Sequence, residues 1–101
     1  MTTIPLPADL GGAPLGELKQ WLAITGGRDD ALLIRLLGSA YQMCIRFTGI
    51  EPGNWADLDE ALRHGIVRYA AHHYRERDQG EAGHIPAAVV ALWRPWRSLR
   101  L

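Results

Sequence analysis

Four histidines, one cysteine and eleven acids are the side chains of this 101-residue chain that could ligate a metal or move a proton. A helical zinc site wants two histidines four residues apart on one face. His64 and His72 are eight apart, and the adjacent His72 and His73 leave a helix in different directions. His72 and Glu76 could share one ion, but two ligands do not make a site. Cys44 stands inside an apolar run, away from any other ligand type. Nucleophilic chemistry is no better served. Ser39 and Ser98 are the only serines, and neither lies in the strained turn that activates a hydroxyl. Gly26-Gly27 lacks the glycine spacing of a phosphate cradle. The carboxylates Asp29-Asp30 and Asp57, Asp59 and Glu60 all fall where helices should begin, and the helix dipole accounts for acids there. The expectation is a chain with no catalytic residue, no metal and no cofactor. It is not read as an enzyme.

The remaining chemistry is that of binding. Ten of the eleven basic residues are arginine and only Lys19 is lysine. Arginine's planar fork suits fixed, bidentate contacts better than an ammonium does. The last nine residues, Trp93 to Leu101, hold two of the four tryptophans and three arginines with no acid. Trp and Arg dominate interface hot spots, and an exposed terminal segment of this kind invites a partner. Its alternative is that Trp93 and Trp96 fold back onto the chain's own core. A second dense segment runs from Tyr69 to Asp78. There Arg75 and Arg77 complement a helix C-terminus, while Tyr74 suits the border of a packed surface.

Positive and negative charges balance, which argues against nucleic acid or an anionic membrane as the main partner. A small helical DNA-binding regulator is the alternative function, since short helices with tight turns can resemble a helix-turn-helix. Against it, Asp59, Glu60, Glu76 and Asp78 offset the arginines of the third helix. A single cysteine permits no internal disulfide and fits a reducing compartment. No basic, apolar leader precedes Lys19, and Arg35, Gln42 and Arg46 interrupt the longest apolar run, so a soluble chain is expected.

Such residues must be positioned by helices. At 48% apolar and 22% charged the chain is of globular composition, with the length of one domain. Residues 1–13, with Pro5, Pro7, Gly11 and Gly12, read as an arm. Pro14 opens a short helix carrying Leu15, Leu18 and Leu22, which Thr25-Gly26-Gly27 should stop. A second helix from about Asp30 to Phe47 has one narrow polar stripe, Arg35, Ser39, Gln42 and Arg46, with Gly49 as its stop. It is apolar around the rest of its girth, so it is either the central core helix or buried on one flank by a neighbouring subunit. Asp57 and Glu60 suggest a capping box for a third helix reaching about Arg77. That helix sets Leu58, Leu62, Ile66, Tyr69 and His73 on one face, opposite Glu60, His64, Arg68 and Arg75. Pro86 opens a fourth helix with Val89, Val90, Leu92 and Trp93, which Pro95 ends or kinks. The fold class is therefore all-α, a small bundle of about four helices, two of them long, with a C-terminal extension.

Several segments, taken in order, resemble the head–tail connector (adaptor) family of long-tailed bacteriophages and gene-transfer particles. Leu15-Gly-Glu-Leu-Lys-Gln-Trp-Leu22 resembles the family's opening helix. Asp29-Asp30-Ala-Leu-Leu33, Ala40 and Thr48-Gly49 resemble the acidic start, Ala-rich middle and Thr-Gly stop of its second. Ala61 to Arg77 with Tyr74-Arg-Glu-Arg77 resembles the helix ending in Tyr-Glu-Asn-Arg. Pro86 to Arg97 resembles the closing Leu-Leu-x-Pro-Tyr-Arg, with Trp96 in place of tyrosine. The resemblance implies residues 14–93 as the connector domain and 94–101 as a docking tail. It implies a virion protein, made in the bacterial cytoplasm, that forms a ring, normally dodecameric, under the portal. The ring prolongs the DNA channel without gripping DNA and offers its far face to a downstream connector, stopper or tail protein. Trp93, Arg94, Trp96, Arg97 and Arg100 would then be the portal-docking residues. Tyr74, Arg77, Tyr69 and Arg68 would mark the subunit interface or the fold itself.

Overall fold

The computed structural model describes residues 4–76 and 85–97. Its elements are α1 (Ala13–Leu22), α2 (Asp30–Thr48), α3 (Glu60–Arg75) and α4 (Ala87–Trp93). Two 3-10 turns, Trp55–Asp57 and Arg94–Trp96, complete it, and no strand occurs among the described residues. The architecture is all-α. α3 lies at the centre, packed on α1, α2 and α4.

In α1, Pro14, Leu15 and Leu18 are buried, as a proline-led amphipathic helix requires. The helix stops at Ala23, before Thr25-Gly26-Gly27. Ala23 adopts a left-handed φ of 60°, and the Ile24 N–H donates back to the Lys19 carbonyl at 2.9 Å. Ile24 turns in to pack against the core, so apolar burial places the turn ahead of the glycines.

α2 buries Leu33, Leu37, Ala40, Tyr41, Cys44 and Ile45 along one face. Arg35, Ser39 and Arg46 are exposed as the stripe predicts, while Gln42 is half-buried and donates to the Ile4 carbonyl at 3.2 Å. That bond pins the N-terminal arm along the helix, where Leu6 and Leu10 methyls crowd the space above Gly38. Leu32, Ile34, Leu36, Met43 and Phe47 are all half-buried. The chain itself thus buries one face of α2 and half-covers the rest of its apolar girth. Gly49, with φ 75°, ends α2 as expected, its N–H donating to the Ile45 carbonyl at 2.8 Å.

No capping box forms at the start of α3. Asp57 closes the 3-10 turn, and the helix begins at Glu60 behind Asp59, which makes no side-chain cap. The face expected to be buried is buried: Leu58, Leu62, Ile66 and Tyr69 lie in the core, with His73 at its edge. α4 opens after Pro86 and buries Val89 and Trp93. The decisive contact between α3 and α4 is at Gly65. A Cβ placed there would lie 2.1 Å from Trp93 Nε1, so only glycine admits the indole. The indole N–H donates to the Leu62 carbonyl at 3.3 Å, which satisfies it within the core.

Candidate interaction surface

The residues expected to dock fall into three groups. Trp93 is 0% exposed, packed near Phe47 and Tyr69 and bonded to α3. Its expected role as a docking residue is corrected: it is a core anchor, because Gly65 opens a slot for it. The chain continues from this anchor through the 3-10 turn. Arg94 and Arg97 are exposed, and Trp96 is half-buried beside Leu58 and Leu62. The Arg97 guanidinium sits 4.9 Å from the centre of the Phe47 ring, a cation–π contact that directs the segment along α2. Arg100 lies outside the described residues, as does Arg77.

The expected interface residues of α3 also divide. Tyr69 is buried, its ring 4.5 Å from His73 and 6.0 Å from Trp93, and burial pushes its hydroxyl pKa up. His73 is held below its ordinary pKa by burial, with the neighbouring His72 adding to the shift. Tyr74 donates its hydroxyl to Asp29 Oδ2 at 2.6 Å, tying the last turn of α3 to the start of α2. Lys19 pairs with Asp30 at 2.8 Å, tying α1 to the same place. Asp29 and Asp30, expected as solvated dipole partners, are therefore also tertiary fastenings. Burial pushes the Cys44 thiol up to about 12, against a smaller opposing effect from its bond to Thr48. Such a thiol is a core residue with no thiolate at neutral pH.

Arg68 leads to a surface that sequence reasoning missed. Its guanidinium lies 5.4 Å from the Trp21 ring centre, and the His64 ring meets the same indole edge-on at 5.3 Å. Trp21 is 42% exposed; Leu6 is the other large exposed apolar side chain among the described residues. The signal was available. Trp21 stands beyond Leu18 at the margin of the α1 stripe, where an indole has no full place in the core. On α3 the run His64, Arg68, His72 and Arg75 recurs at helical spacing beneath it. Trp21 thus crosses a trough floored by α3, between α1 and α4.

Among the described residues no group of three or more His, Cys, Asp or Glu is placed to hold a metal ion. No described helix is long and apolar enough to cross a membrane. Comparison with protein-family models, curated proteins and solved structures finds no match to this chain.

Proposed function

We propose that this chain is a non-enzymatic structural protein of a virion or gene-transfer particle, a head–tail connector. Identical copies form a ring under the portal, prolong the DNA channel and join the capsid to the tail. The ring is dodecameric, DNA passes through without specific binding, and the copies are made in the bacterial cytoplasm. The order of motifs along residues 15–97 suggests the family. One structural observation supports the role. With Trp93 fixed in its slot, Arg94 and Arg97 are exposed and Trp96 is half-covered at the end of the described chain. This is an Arg- and Trp-bearing edge where the resemblance places portal docking. The test is capture of the purified chain by its cognate portal. The variant Arg94→Glu, at an exposed residue, is expected to lose capture while melting like the wild type. Unchanged capture would refute the docking edge.

A further inference from the structure

The groove that Arg68, His72 and Arg75 line beside Trp21 and the loop before α3 have complementary chemistry. At the basic end of the trough Arg68, His72 and Arg75 line a groove of about 170 Å³ with Trp21, Glu76 being its one acid. Arg75 lies fifteen residues along α3 from Glu60, which is about 22 Å at the helical rise. Around the start of α3 no basic residue or histidine occurs between Arg46 and Arg63, whereas Glu51, Asp57, Asp59 and Glu60 are all exposed.

The loop is also held in shape. Tyr41, fully buried, accepts from the Gly53 N–H at 2.9 Å and donates to the Gly53 carbonyl at 3.1 Å. Trp55, buried just behind, donates its indole N–H to Glu17 at 3.1 Å. Residues 51–54 are consequently exposed yet fastened at Gly53 and just behind at Trp55, so docking them orders little that is not ordered already.

We infer that the Glu51–Asn54 ridge of one copy, with Asp57 beside it, seats in the Trp21–Arg68–Arg75 groove of a second copy. The inference rests on the ring reading above and names the surfaces that would join its subunits. The helix dipole alone accounts for acids at one end of α3 and bases at the other. It does not account for an indole left exposed over His64 and Arg68, nor for a loop braced to project at the acidic end. Ridge and groove are different patches, one before the start of α3 and the other along its second half. Their contact is therefore head-to-tail, the kind that closes into a ring when the rotation permits.

The experiment is sedimentation velocity of the full chain, up to millimolar concentration, with circular dichroism confirming the fold of each variant. Three single variants, Arg75→Glu, Glu51→Arg and Trp21→Ala, are each expected to weaken self-association at least about tenfold, since each removes a charge match or the aromatic anchor. In an equimolar mixture of Arg75→Glu and Glu51→Arg every ridge meets a groove of opposite charge in the other variant. Association should therefore recover, with the two variants alternating. The double variant Glu51→Arg with Arg75→Glu should recover association. Wild type that remains monomeric throughout, or single variants that associate like wild type, overturns the inference. The ring reading has a separate readout, assembly on the portal: rings of Arg75→Glu formed there as readily as those of wild type would sink this interface and leave that reading standing.

Discussion

Gly65→Ala is the substitution whose outcome the packing determines most sharply. Glycine inside an exposed helix costs about 1 kcal/mol relative to alanine, so on helix propensity alone the change should stabilise. Here the new Cβ would meet Trp93 Nε1 at 2.1 Å, Cδ1 at 2.8 Å and Cε2 at 2.9 Å. The indole must retreat to the 3.4 Å of ordinary contact, and Trp93 is fully buried with Tyr69 and Phe47 around it. Overpacking a core in this way costs about 1–3 kcal/mol. Pulling the indole N–H from the Leu62 carbonyl leaves a buried donor unpaired at about a further 1–3 kcal/mol. Against the helix gain, the net loss is about 3 kcal/mol, and melting should fall by roughly 10–25 °C in a chain of this length. Gly16→Ala is the internal control, since its Cβ meets nothing within 4 Å in the middle of α1. It should stabilise by about 0.5–1 kcal/mol. Thermal and urea unfolding measure both. A Gly65→Ala protein melting at or above wild type would refute the reasoning, as would zero coupling between Gly65→Ala and Trp93→Phe, expected at about 1 kcal/mol or more.

The other expectations concern the fastenings and the buried titratable groups. Ala23→Gly relieves a left-handed φ of 60° and should raise stability by about 0.5–1 kcal/mol in urea unfolding, with unchanged helicity. Tyr74→Phe removes the donor to Asp29 and should cost about 1–2 kcal/mol, with hydrogen exchange rising first around the start of α2. Cys44 should resist thiol reagents in the native state and react on unfolding. Because its folded pKa is raised from 9.0 to about 12, stability should be full below pH 9 and decline as pH climbs through that interval. His73 works in the opposite sense: its pKa is lowered in the fold, so acidification from about pH 6.5 downward should destabilise wild type more than His73→Phe.

Periodicity and stop signals made most of the fold legible. The buried face of α3, the polar stripe of α2 and the Gly49 stop all follow from spacings a sequence displays. What escaped was decided between elements. Ala23 ends α1 because Ile24 packs inward, and no local signal outweighs the two glycines that follow. Trp93 reads as a docking residue, with burial on the chain's own core as the alternative, because nothing in its own segment reveals the slot at Gly65, twenty-eight positions away. The same distance problem hid the role of Asp29 and Asp30, whose partners Tyr74 and Lys19 lie on other helices. In the site, Arg68 was singled out, but its meaning depends on Trp21, which only folding brings over it.

Whether copies of this chain assemble where a capsid meets its tail, as proposed, is read directly from negative-stain images of the purified chain mixed with the proposed portal partner. The expected images show a closed ring of about twelve copies coaxial with the portal, with an open channel. Portals left bare at saturating chain, with the chain still monomeric beside them, would contradict it.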